Sequence, residues 1–572
     1  MKSNKTVLWG CLIFVIALLA AFILGFIFTF GSHGAKSAKI PSNAWLYVNP
    51  SALLPDYNEL EELRFVNVSS PSVQEICAKI KLAAKDERIK GILLQPQMIM
   101  TNYPALEEMS LAIGTFQKSG KPVLAFGENF TQGDYLLASC ADKIYMEPSA
   151  SAGLVLQGVS ANMLFYKEML DKLGIKMHIL QSGEYKGAGE PFSQTELSKG
   201  TKENIDAALY DIYNHLLSFV AQNRKLETTY VKDIFEKRDD FFLSAEKAKE
   251  LKLIDYAMSR DEMLKSLDLE EDNFVKIANY SPTAKKKKGD KIAVVYLNGN
   301  IAPVSRSNFG SQGIISEAKV KKIIKQIHQH KDIKAVVLRI NSPGGSALES
   351  ELIYQQLLKL KREYPLVVSM GGTAASGGYY ISCAGDYLIA DPGTLTGSIG
   401  VIGLIPEMAG LGKKIGVRSQ TLKYGKFAGA LSPLEHYDPA LIESLKRSST
   451  ATYNEFKQRV MTARKISPEN IEAVAEGRIF SAEDALANKL IDEIGTLDKA
   501  IAKAAGLAKV TPYSSVNFPK KESYWEAIRE SDLLNLKERL QNNNDPATQL
   551  EKYLKQISAT GEWLYLMPYT LE

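Results

Sequence analysis

Cysteine is scarce in this chain of 572 residues. The four present, Cys11, Cys77, Cys140 and Cys383, are scattered and never in C-x-x-C spacing. That excludes a disulfide scaffold and leaves no thiolate pair for a structural zinc. Histidine is nearly as rare, six in all, with no H-E-x-x-H; His328 and His330, two apart on an expected helix, face different ways rather than toward one metal. No Walker A pattern occurs, so ATP-driven unfolding is not indicated; no nucleotide or metal cofactor is expected, and no G-x-S-x-G marks a hydrolase elbow. Charge of one sign is lacking too: 69 Lys+Arg against 65 Asp+Glu leave +4, too little to make nucleic acid the main partner. Composition, 45% hydrophobic and 23% charged, excludes a disordered, collagen-like or polytopic membrane chain, and the length exceeds one compact domain.

Long apolar runs are also few, but one is present. Thr6–Phe30 holds 25 residues without a formal charge. As a helix it would be about 37 Å long, enough to cross a hydrocarbon core of ~30 Å. A cleavable signal peptide has a shorter apolar stretch of about 7–15 residues, so a retained anchor over 1–31 is expected. Lys2 and Lys5 before the run and Lys36 and Lys39 after it leave the orientation undecided by charge.

The remaining body reads as α/β with two tandem repeats and mainly parallel sheets. In the second half the strands Lys291–Leu297, Ala335–Ile340 and Leu366–Met370 alternate with helices over Lys319–His330 and Glu349–Tyr364. The first half repeats the order. Lys90–Leu94 stands for Lys334–Leu338, Pro122–Phe126 for Pro365–Ser369, and Cys140 for Cys383, an offset of 243 residues. The expected division is a first repeat over 32–280, a basic linker over 281–291, a second repeat over 292–510 and a tail over 511–572.

The repeats differ where chemistry would sit. The second carries Gly371-Gly372-Thr373-Ala374-Ala375-Ser376-Gly377-Gly378 after a strand, while Gln132 or Gly133 falls opposite Ser376 in the first. A serine among small residues at a helix start suits a nucleophile that generates an oxyanion. The same pattern suits a plain N-cap serine in a glycine-rich turn. A nucleophile needs a base, and no histidine has a comparable setting, although His436 could serve a triad. Lysine can replace it if burial brings its pKa near neutrality, which takes about 4 kcal/mol. Lys186, in Gly183-Glu184-Tyr185-Lys186-Gly187-Ala188-Gly189-Glu190-Pro191-Phe192, is available. So is Lys426, in Tyr424-Gly425-Lys426-Phe427, 50 residues after Ser376. A lone loop lysine is more often a surface lysine.

The segments NSPGGS, AASGGYYIS, LTGSIGVIG and EYKGAGEPF together resemble the signal peptide peptidase A (protease IV) family in its long, duplicated form. The resemblance implies a crotonase/ClpP-like fold and a Ser-Lys serine endopeptidase acting on remnant signal peptides and other short, unfolded peptides. By it Ser376 is the nucleophile, Lys186 the base, and the Gly344 or Gly345 amide an oxyanion donor. Lys186 is preferred over Lys426 because Glu-Pro-Phe follows it. The resemblance also implies a homotetramer, held by its apolar helix in a bacterial inner membrane with the body on the periplasmic side. A non-catalytic membrane scaffold and an acyl-CoA hydratase or isomerase of the same fold are the alternatives.

Overall fold

The computed structural model describes residues 40–59, 71–281, 289–303, 313–521 and 564–566. The anchor expected over 1–31, most of the linker and most of the tail lie outside the described residues. Among the described residues no helix is long and apolar enough to cross a membrane.

Each repeat builds a mainly parallel sheet. The first has six strands in the spatial order Tyr256–Ala257, Lys143–Met146, Val123–Gly127, Ile89–Leu94, Ala44–Val48 and Phe274–Lys276, every neighbouring pair parallel. The second has eight, centred on Asp290–Asn298, Ile333–Ser342 and Leu366–Ala375. Its strands are apolar on both faces because both are covered, as a helix-covered parallel sheet requires. Along Asp290–Asn298, Ala293, Val295 and Leu297 join one core with Val320 and Ile353 from two helices. The alternate residues Ile292, Val294 and Tyr296 join another with the helix Leu497–Ala508.

Side-chain fixtures repeat with the backbone. Asp142 accepts from the Val123 amide and Asp386 from the Leu366 amide, both at 2.8 Å. The Tyr135 hydroxyl donates to the Leu253 carbonyl at 2.9 Å, and the Tyr379 hydroxyl to that of Leu490 at 2.8 Å. Two helices of 26 residues, Lys199–Arg224 and Pro439–Arg464, each end in a left-handed lysine; their last arginines pair with Asp255 and Asp492. Each carboxylate and hydroxyl satisfies a backbone group that burial would otherwise leave unpaired.

Three features depart from the sequence reading. The strand expected to stop at Met370 runs on to Ala375, where Thr373–Ala375 pair with Leu395–Gly397. Its glycines are strand residues at a close approach: a Cβ on Gly372 would lie 2.7 Å from Asn102 of the first repeat. The second sheet does not end at residue 510, since Tyr513–Phe518 adds a parallel edge strand to Asp290–Asn298. Its polar, proline-flanked sequence hid it. Most important, Lys176–Ser182 leaves the first repeat's sheet and pairs antiparallel with Val401–Glu407 of the second over seven positions.

The two repeats share a buried ionic joint. Arg339, on a second-repeat strand, reaches Asp56 at 2.9 Å, Glu108 at 2.9 Å and Asp391 at 2.6 Å, all four side chains being buried. Burial alone lowers the guanidinium's pKa, but the Asp56, Glu108 and Asp391 carboxylates raise it well above its ordinary value. The charges do not balance, and burial pushes Asp391 well above the usual carboxylate range and raises Glu108 as well. Beside the joint, Tyr57 stacks on Tyr296 with ring centroids 4.3 Å apart.

Candidate active site

Ser376 follows the strand Leu366–Ala375 and precedes the helix Gly377–Ser382. Its backbone, φ 56 and ψ −116, is one that L-residues rarely adopt, and its amide donates to the Gly397 carbonyl at 2.8 Å. Ser376 stands at the N-cap position, yet its hydroxyl caps nothing. The first repeat shows the contrast. The corresponding helix there, Gln132–Ala138, is capped by Thr131, which forms a complete capping box with Asp134. An ordinary cap and Ser376 therefore differ in what the hydroxyl does.

What it meets is Lys186. The lysine Nζ lies 2.8 Å from Ser376 Oγ, 2.8 Å from the Ser398 carbonyl and 2.9 Å from Ser398 Oγ. Both Lys186 and Ser376 are fully buried. Burial alone pushes the amine's pKa well below its ordinary 10.5, and among the described residues no carboxylate pairs with it.

The lysine arrives on the crossing strand. After Ser182 the chain turns at Gly183, the Tyr185 amide donates to the Glu476 carbonyl at 2.7 Å, and a short 3-10 turn begins at Gly187. Gly477, at φ +83, lies so close that a Cβ there would be 2.5 Å from the Lys186 nitrogen. The Glu-Pro-Phe continuation has a mechanical role. The Glu190 carboxylate, buried, accepts from the Ser198 amide (2.9 Å), the Ser198 hydroxyl (2.6 Å) and the Thr201 hydroxyl (2.7 Å), tying the lysine turn to the helix Lys199–Arg224. Glu190→Ala strands these donors and is expected to cost about 1–3 kcal/mol per buried group left unpaired. Thermal unfolding would show it, with Glu190→Gln losing less.

The other sequence candidates are elsewhere. Lys426 is exposed, its ammonium over the Phe427 ring. His436 is 84% exposed at its side chain and pairs with Glu407 at 2.8 Å. Gly344 and Gly345 form the strand Gly344–Ser346 beside the serine. The Gly344 amide donates to Ser342 Oγ at 3.2 Å, and Gly345 stands opposite Ile301 on one side and Tyr565 on the other. Two contributors were missed. Ser398, at φ 52, was visible only as a serine inside LTGSIGVIG. Gly377, first residue of its helix and so without an intrahelical acceptor for its amide, lies against the turn: a Cβ on it would be 3.2 Å from Gly344 Cα.

The family model of Peptidase family S49 matches residues 115–273 and 359–511, more than half of the chain and one stretch in each repeat. The chain belongs to Peptidase family S49. Membership makes it a peptidase, and the duplication seen in the sheets is a duplication of the S49 unit. A Clp protease model also matches residues 309–390, the part that holds the serine. Among S49 relatives, the chain is 33% identical to Protease 4 of Haemophilus influenzae over 516 residues, 84% of this chain and 82% of the other. It is 35% identical to Protease 4 of Salmonella typhi over 456 residues, 77% and 72% respectively. A ClpP1 variant from Listeria monocytogenes aligns in structure at 15% identity and a TM-score of 0.24, covering 36% of this chain and 94% of that one.

Proposed function

We propose that this S49 peptidase is a serine endopeptidase working through a Ser376–Lys186 dyad. The observation that carries the reading is the 2.8 Å contact between a buried amine and a hydroxyl that caps no helix. A neutral lysine has two N–H donors and one lone pair. The donors are occupied by the Ser398 carbonyl and hydroxyl, so the lone pair is aimed at Ser376, whose O–H donates to it. Lys186 takes that proton as Ser376 Oγ bonds to the peptide carbonyl carbon. The Gly344 or Gly345 amide, together with that of Gly377, holds the oxyanion, each good donor being worth about 3 kcal/mol. The ammonium returns the proton to the leaving amine, the C–N bond breaks, and water, deprotonated by Lys186, cleaves the acyl ester.

The substrates we assign are short or unfolded peptides, remnant signal peptides among them. The apolar run at Thr6–Phe30 supports placement at a membrane where such segments remain, and the family resemblance supports the bacterial inner membrane, a periplasmic body and a homotetramer. A fluorophosphonate probe tests the dyad. It is expected to label the wild type and His436→Ala equally, and to leave Ser376→Ala and Lys186→Ala unlabelled. Labelling of Ser376→Ala at the wild-type rate would move the nucleophile elsewhere.

A further inference from the structure

Lys186 arrives on one loop and is held by another, and a single turn of the second repeat touches both. After the helix Ile471–Val474 the chain passes through Glu476 at φ 61 and Gly477 at φ 83. Two left-handed residues in succession, one of them not glycine, make a backbone that its surroundings must enforce. The Glu476 amide donates to the Tyr453 hydroxyl at 3.0 Å, and the Gly477 amide to the Ile399 carbonyl at 2.8 Å. Toward the first repeat, the Glu476 carboxylate accepts from the Glu184 amide at 2.9 Å and its carbonyl from the Tyr185 amide.

Arg478 closes this corner. Its guanidinium carbon lies 3.7 Å from the centroid of the Tyr185 ring, and Tyr185 directly precedes the lysine. The Arg478 Nε is buried without a hydrogen-bond partner among the described residues, and the ring face is what the guanidinium meets. The Arg478 carbonyl accepts from the Ser398 amide at 2.6 Å, and Ser398 holds the lysine amine through its own carbonyl and hydroxyl. One residue thus grips the loop that carries the amine and the loop that orients it. Around the amine, its own turn brings Glu184 and Glu190, the facing turn Glu476, Arg478 and Tyr453, and the helix Lys199–Arg224 brings Thr201 against Gly187. Among the described residues the amine bonds to none of these, only to serines.

We propose that Arg478 is a positioning residue for the base: by clamping Tyr185 with its side chain and Ser398 with its carbonyl, it keeps water from the Lys186 amine. The proposal rests on the dyad reading. Water reaching the amine stabilises the ammonium, which cannot accept the serine proton.

The test is the rate of fluorophosphonate labelling of the full-length protein against pH. The wild type is expected to show an acidic limb, the rate rising as Lys186 loses its proton. Arg478→Ala is expected to move that limb up by about one pH unit, a tenfold loss at a fixed pH on the limb, with the plateau kept. Tyr185→Ala removes the other half of the stack and is expected to move it as far. The double variant moves it no further, because both changes break one contact. Arg478→Lys keeps a cation over the ring and is expected to move it less. With a quenched fluorogenic peptide, kcat follows the same limb and KM is unchanged. A merely structural role would lower Tm or the rate at every pH and leave the limb in place. A wild-type limb that stays put in both Arg478→Ala and Tyr185→Ala overturns this proposal alone. A wild-type profile with no limb, or labelling of Ser376→Ala, overturns the dyad reading and this proposal with it.

Discussion

Ser376→Ala and Lys186→Met are each expected to lower kcat/KM by at least about 10⁴-fold while the protein stays folded, because members of such a unit fail together. Lys186→Arg is expected to be as inactive, since a guanidinium is never neutral and cannot accept the serine proton. Lys426→Ala keeps wild-type turnover. Peptide hydrolysis and circular dichroism on purified variants check all four, and an active Lys186→Met would transfer the base to another residue. The pH profile carries the same logic. The base is the neutral amine, so activity rises with pH through the lowered folded pKa, below the ordinary 10.5. Stability has a matching sign. At this site the folded state binds fewer protons than the unfolded chain, so stability rises with pH from the folded value up to about 10.5. Lys186→Met removes that rise.

Arg339→Met is expected to be the most destabilising single change outside the active site. It leaves Asp56, Glu108 and Asp391 buried around a missing cation, and breaking a buried ion pair this way costs about 3–5 kcal/mol. Because two of the carboxylates belong to the first repeat and two partners to the second, unfolding is expected to split into separate transitions, visible by calorimetry. Retention of the wild-type Tm would show that the joint contributes nothing. The protonation of Asp391 gives a second readout. Burial raises its folded pKa, so there the folded state binds more protons than the unfolded chain. The contribution is present at low pH and is lost as pH climbs from about 3.9 through the raised folded value. Asp391→Asn, neutral at every pH, is expected to flatten that part of the Tm-against-pH curve.

The duplication was legible because it is written in local patterns: apolar strands before Asp142 and Asp386, small residues around Cys140 and Cys383, and the 243-residue offset. The strand Tyr513–Phe518 was not, since an edge strand needs one covered face and Tyr-Ser-Ser-Val-Asn-Phe carries little apolar signal. Ser376 and Lys186 could each be named as residue types in suitable loops. Neither loop reveals whether its side chain is buried or exposed, and Lys426 has much the same neighbours as Lys186.

By itself the sequence determined an α/β duplication, the small-residue turns and the asymmetry that leaves one serine and one glycine-flanked lysine in different repeats. Those are properties of periodicity and spacing, which act over a few residues. The tertiary structure decided which lysine meets the serine, that Ser398 rather than a carboxylate holds it, and that an arginine with three acids joins the halves. The first two depend on Lys176–Ser182 and its neighbours crossing between repeats. A contact between residues 190 positions apart is set by how sheets pack, and no local pattern encodes it.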